Sequence, residues 1–189
     1  MGAILDFISS GGVISIIVFV WLSIYFIVTI WMFFSKSVTI TALEKIENES
    51  LNGLLKGDSS IKKESVLSRC IKGTNTPKLL SVCKSFAEEN VTKGLSTLAI
   101  ISSTSPFIGL FGTIVSILKT FSKLGEAGSA SLNVIAPAIS EALVATAVGI
   151  FVAIPAYSIH LILKRKAYEY ISLVQREIDI LKLKTYTDY

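Results

Sequence analysis

The chain has 189 residues, 51% of them hydrophobic and only 17% charged, with a formal net charge of +4 at pH 7 and a mean hydropathy of +0.65. A soluble domain of this size carries about 25% charged residues, and a composition this apolar would leave it with large exposed hydrophobic patches. An ordinary water-soluble enzyme is thereby excluded, and an all-α integral membrane protein is expected.

Residues 1–12 carry no Lys or Arg and precede an uncharged stretch of 22 residues, Val13 to Phe34. A bilayer crossing needs roughly 20 apolar residues, so this stretch is read as transmembrane helix 1. It is too long for a secretory leader, lacks a preceding basic residue and has no small-x-small cleavage site after it. Its Ile, Val, Phe and Trp content suits a helix facing lipid on most sides, with Trp21, Tyr25 and Trp31 as interfacial or packing aromatics.

Residues 35–93 follow with ten Lys and Arg. Ile40, Leu43, Ile46 and Leu54 suggest a shorter helix after the first span, and Leu79, Leu80, Cys83 and Phe86 a stripe leading into the second. Gly57-Asp58-Ser59-Ser60 and Gly73-Thr74-Asn75-Thr76-Pro77 read as breaks. Transmembrane helix 2 is expected over 94–118 and transmembrane helix 3 over 132–163, joined by a short loop, 119–131. The tail 164–189 continues as a helix with an apolar seam at Ile171, Val174, Ile178 and Leu181. Two Lys lie in 119–131 and six Lys and Arg in 164–189. The positive-inside rule therefore places 35–93 and the tail in the cytoplasm and the N-terminus and short loop in the periplasm. Cys70 and Cys83 fall in the cytoplasmic region, where thiols stay reduced, so no structural disulfide is expected.

Spans two and three differ chemically from span one. Span two holds eight Ser and Thr, with small and polar residues recurring at Ser102, Ser105, Gly109, Gly112, Thr113 and Ser116. Span three has a stripe of Ala138, Ala142, Ala145, Gly149, Ala153 and Ala156. Such stripes let helix backbones approach closely in lipid. Two of them suggest self-association or a polar conduit beyond the packing of one helix pair. Glu141 is the one acid in the spans. An acid there costs about 2.5–3.5 kcal/mol on insertion scales and usually faces a bundle interior or a water-filled cavity. Counting from the outer span ends, Thr113 and Glu141 are expected at similar depth, with Thr146 roughly 7–8 Å deeper, at about 1.5 Å per residue. Together they make a polar track. Its plainer alternative is Glu141 as structural glue to neighbouring hydroxyls.

Enzyme chemistry finds no foothold. His160 is the single histidine and reads as an interfacial or packing residue. The cysteines have no histidine beside them for a zinc site, and neither a nucleophile elbow nor a phosphate loop occurs. No metal, cofactor or nucleic-acid partner is expected.

The stretch SPFIGLFGTIVSI, Ser105 to Ile117, and the stretch VIAPAISEALVATAVGIFVAIPA, Val134 to Ala156, resemble the second- and third-span signatures of the MotA/TolQ/ExbB proton-channel family, in its TolQ/ExbB branch. The wording SPFIGLFG leans toward the TolQ type. The resemblance implies a homopentameric ring in the bacterial inner membrane around a dimer of single-span ExbD- or TolR-type partners. Protons are the coupling ion, and their flow drives a TonB- or TolA-type energy transducer. It also implies proton-pathway roles for Thr113, Glu141 and Thr146. Ser105, Gly109, Gly112, Ser116, Ala138, Ala142, Ala145 and Gly149 are then pore-lining or helix-packing residues. A non-conducting scaffold for partner helices and a self-sufficient ion channel are the alternative readings.

Overall fold

The computed structural model describes residues 12–56, 64–70, 77–127 and 132–187, and every regular element among them is an α-helix. In chain order these are α1 (Gly12–Leu55), α2 (Val66–Cys70), α3 (Pro77–Thr92), α4 (Leu95–Ala127) and α5 (Leu132–Thr187). The expected breaks at 57–60 and 73–76 lie outside the described residues, as do most of residues 1–12 and positions 128–131. Pro77 opens α3, a position where its missing N–H costs nothing.

Among the described residues, three helices are long and apolar enough to cross a membrane. α1, α4 and α5 hold 44, 33 and 56 residues, about 66, 50 and 84 Å at 1.5 Å per residue. A hydrocarbon core is about 30 Å thick, so each extends well past it. The separate helix expected after span one is instead the continuation of α1. No Gly or Pro interrupts residues 35–52, and charge alone does not stop a helix. α4 likewise runs on through Lys119 and Lys123 to Ala127.

The chain divides into two compact units, Met1–Trp31 with Thr97–Ile159, and Met32–Ser96 with His160–Tyr189. The first is built on Val18 and Leu22 of α1, Ile101 of α4, and Val152 and Ala156 of α5. The other face of α1 is open, with Val20, Trp21, Ile24, Ile27 and Trp31 all exposed, as a lipid-facing helix requires.

The second unit carries most of the charge. Its core joins Ile40, Leu51 and Leu54 of α1 and Leu67 of α2 to Leu80, Cys83, Ala87 and Val91 of α3. Leu163, Tyr170, Val174 and Ile178 of α5 complete it. On α3 the buried stripe differs from expectation. Phe86 points outward and Ala87 takes the inner position, because the 3, 4, 4 spacing from Leu80 follows the helix better than 3, 3. The tail seam is buried at Val174, Ile178 and Leu181. His160 Nδ1 lies 3.0 Å from the Leu95 carbonyl, a packing role at the start of α4.

α2 has five residues, far too few to persist alone. Burial of Leu67 and a disulfide from Cys70 to Cys83 of α3 hold it in place. The disulfide corrects the expectation of free thiols. That expectation weighed the compartment alone, whereas the fold brings the two Cα atoms to 5.8 Å, inside the range a disulfide needs.

Two outcomes follow. The native chain should take up no thiol reagent when denatured without reductant and two equivalents after reduction, read by intact mass. Gly94, between α3 and α4, has φ +91°, while the nearest atom to an added Cβ is the flexible Met32 Cε. Gly94→Ala is therefore expected to cost about 1–2 kcal/mol through the backbone rather than through space, lowering the Tm of the purified protein.

Candidate functional site

The sequence-singled residues of spans two and three all lie on α4 and α5 within the first unit. What brings them together is backbone contact. A Cβ on Gly109 would sit 2.7 Å from the Ala145 carbonyl oxygen and 3.2 Å from Gly149 Cα; one on Gly149 would sit 2.7 Å from the Ser105 carbonyl oxygen. Real Cβ atoms do not come that close to backbone, so both positions require glycine. A Cβ on Gly112 would meet Val18 Cγ1 at 3.1 Å and Ala145 Cβ at 3.3 Å, which adds α1 to the same contact.

The two small stripes are therefore spent on each other inside one chain. Ala142, Ala145, Ala153 and Ala156 are buried, as are Ser105, Gly109, Gly112 and Gly149, while Ala138 and Ser116 are half-buried. Packing within one chain thus uses much of both stripes. A glycine-to-glycine approach uses small residues on both partners, and α1 fills the remaining side. The hydroxyls are mostly absorbed too. Ser102 donates to the Ala99 carbonyl at 2.9 Å, Ser103 to Ile100 at 3.1 Å and Thr104 to Ile100 at 2.7 Å. Ser105 donates to Ile101. Each serves its own helix backbone.

Thr113 is the exception. Its Oγ1 reaches across to α5, donating to the Ala142 carbonyl at 3.0 Å, and makes a short hydroxyl contact with Thr146 Oγ1. The Gly109 carbonyl lies 3.2 Å from the Thr113 hydroxyl and 3.5 Å from that of Thr146. Thr113 and Thr146 are thus neighbours at one level, not separated by a turn and a half. Counting inward from span ends misplaced them, because the glycine contact, not the span boundary, sets the register. Glu141 is half-buried one residue before Ala142. Its Oε1 is buried and has no hydrogen-bond partner among the described residues.

Chemically, each threonine hydroxyl both donates and accepts, and the single proton of Thr113 has three acceptors within reach. No group of metal-ligating side chains occurs among the described residues.

Long apolar helices that enclose a polar contact of this kind define a multi-pass membrane protein with a site buried between its spans. The chain matches the MotA/TolQ/ExbB proton channel family over residues 59–176, a stretch that contains this site. It is similar to the biopolymer transport protein ExbB-like 1 of Helicobacter pylori strain 26695, with 43% identity over 189 residues covering 97% of this chain and 99% of that protein. TolQ of the Tol-Pal system of Pseudomonas aeruginosa is 47% identical over 77 residues, 41% of this chain and 33% of that one. ExbB of Neisseria gonorrhoeae is 52% identical over 63 residues, 33% and 29% of the two chains. This chain belongs to the MotA/TolQ/ExbB proton channel family, in its TolQ/ExbB branch.

The glycine contact makes a prediction. Gly109→Ala and Gly149→Ala should each destabilise the protein by about 1–3 kcal/mol, the usual cost of overpacking, and lower its Tm. Gly125→Ala, on the same helix with nothing within 4 Å of the added methyl, should leave it unchanged or raise it, since Ala is the better helix former by about 1 kcal/mol.

Proposed function

We propose that this protein is the ring-forming subunit of a proton-driven energy transducer in the bacterial inner membrane. In this reading five copies surround a dimer of single-span ExbD- or TolR-type partners. Protons cross into the cytoplasm, and the motion they drive passes to a TonB- or TolA-type protein. Membership of a proton channel family supports the class, and the full-length similarity to a protein named ExbB-like favours the ExbB type. The Lys and Arg distribution supports the orientation, with the second unit in the cytoplasm.

The observation that carries the reading is the buried Oε1 of Glu141, without a hydrogen-bond partner among the described residues, one residue from Ala142, whose carbonyl accepts the Thr113 hydroxyl. A buried polar atom without a partner costs about 1–3 kcal/mol. One chain tolerates that cost if another chain, or a moving proton, supplies the missing donor. The intrachain helices leave Leu143 and Val144 of α5 and Phe107 and Phe111 of α4 exposed beside this level, so neighbouring helices have apolar surface to cover.

In partner-containing liposomes, Glu141→Ala is expected to reduce proton flux at least tenfold with the complex still assembled. Glu141→Asp should retain part of the flux. Thr146→Val, which keeps the shape and deletes the hydroxyl, should fall near Glu141→Ala. Wild-type flux in assembled Glu141→Gln or Glu141→Ala would remove the residue from the mechanism and favour a scaffold. Equal flux without any partner would favour a self-sufficient channel.

A further inference from the structure

The second unit buries two acids that sequence reading passed over. Glu47 of α1 is 1% exposed and Glu177 of α5 is 0% exposed. Both fall on apolar stripes, Glu47 in line with Ile40, Leu51 and Leu54, and Glu177 beside Val174, Ile178 and Leu181. An acid on the inner face of an amphipathic helix was the available signal.

Ser65, just ahead of α2, stands between them. Its Oγ is 2.8 Å from Glu47 Oε2 and 3.4 Å from Glu177 Oε2, and it accepts the Leu67 amide at 3.2 Å. The Val66 amide donates to Glu47 Oε1 at 2.9 Å. Counting hydrogens shows that the two acids do not share Ser65 equally. The hydroxyl has one proton, and the shorter contact gives it to Glu47, which then takes two donors as a carboxylate. With that proton committed, the longer contact to Glu177 is best made by a proton that Glu177 itself carries. Around it, Glu177 Oε1, Ser50 Oγ and Tyr170 Oη are buried without a geometric hydrogen-bond partner among the described residues; the Ser50 and Ser65 hydroxyls favour the ionised form of Glu177, but less than burial and the charge of Glu47 oppose it.

We propose that Glu47 and Glu177, bridged by Ser65, form a proton-held latch that docks α2 onto α1 and α5 and releases it when Glu177 ionises. Four titratable or charged groups act at this place: Glu47 from α1, Arg69 from α2, and Tyr170 and Glu177 from α5. Burial first, then the charge of Glu47, push Glu177 from 4.5 up to about 8. Burial first and both acids after it raise Tyr170, which therefore stays neutral, while Arg69 opposes them weakly. All four lie beyond the span segments, Glu177 eleven residues past the basic run Lys164–Lys166. The sign is fixed by the direction of the shift. An acid that holds its proton more tightly when folded loses stability as pH rises from its ordinary value to its folded one. α2 is then the first part to feel it. Its leading amides depend on Ser65 and Glu47, and the disulfide secures only its far end. The latch stands independently of the proton path in the spans.

Infrared spectra and thermal unfolding of the full chain in nanodiscs, followed from about pH 6 to about pH 9, read both the proton and its consequence. The wild type minus Glu177→Gln difference should show a protonated-carboxyl band at the acid end that fades with a midpoint near 8. The wild-type Tm should fall over the same interval while that of Glu177→Gln stays flat. Glu47→Gln should keep the band and move its midpoint lower, which decides the matter if Glu177→Gln does not fold. Absence of the band, or a midpoint in the ordinary carboxylate range in the wild type, would overturn the proposal. So would recovery of the alkaline Tm by Na⁺, Mg²⁺ or Ca²⁺ in the wild type alone, because a cation rather than a proton would then join the acids.

Discussion

The approach of α4 to α5 through Gly109 and Gly149 is the constraint on which the polar site depends. Two backbones that come within reach of each other's Cα atoms can interlock in one register only. Once that register is set, Thr113 meets Thr146 and the Ala142 carbonyl without further specification. In lipid there is no hydrophobic drive to hold helices together, so close packing supplies the attraction. The same glycines therefore perform two tasks, cohesion of the spans and alignment of their hydroxyls. A side chain as small as a methyl at either place would undo both.

The two units solve different problems with the same long helices. In the first, polar groups are scarce and nearly all are satisfied within their own helix, as Ser102, Ser103 and Thr104 are. Thr113 and Glu141 depart from that rule, and they are the residues with chemistry to offer. In the second, fully burying a leucine or isoleucine side chain is worth about 1.5–3 kcal/mol, enough to hold a five-residue helix and two buried acids that would be intolerable alone. There the departures are Glu47 and Glu177. In both units a carboxyl with an unpaired oxygen marks where the packing serves something besides stability.

Much of this was legible in the sequence, and the boundary of what was legible has a physical cause. Charge-free runs at 13–34 and 94–118, and a run at 132–163 with one acid, expose three long helices because a bilayer admits little else. Thr113, Glu141 and Thr146 stood out in the sequence by their contrast with apolar surroundings. Their relative level did not, because depth counted from a span end ignores the one or two glycine contacts that set register. The fate of the small stripes was hidden for a related reason. Composition marks a surface that tolerates close approach without naming its partner, and here the partner is the adjacent helix. The Cys70–Cys83 bond was missed because the compartment was weighed and not the thirteen-residue spacing, and the Glu47–Glu177 pair because it joins segments far apart in the chain. A stripe assignment that had weighed acids as well as apolar residues would have flagged the second.

The register of α4 on α5 can be tested without any assay of transport. In a chain with Cys70 and Cys83 replaced by Ser, Thr113→Cys and Thr146→Cys together place two thiols where the two hydroxyls now touch. Mild oxidation of the membrane-embedded protein, read by mass spectrometry of the peptides, is expected to give an intrachain cross-link between positions 113 and 146 in most molecules. A Thr113→Cys/Gly149→Cys pair would not be a fair control, since position 149 does not admit a side chain; Thr113→Cys with Val144→Cys, on the exposed face of α5, should give none. Cross-links only between separate chains, or an equal yield from the 144 pair, would contradict the account.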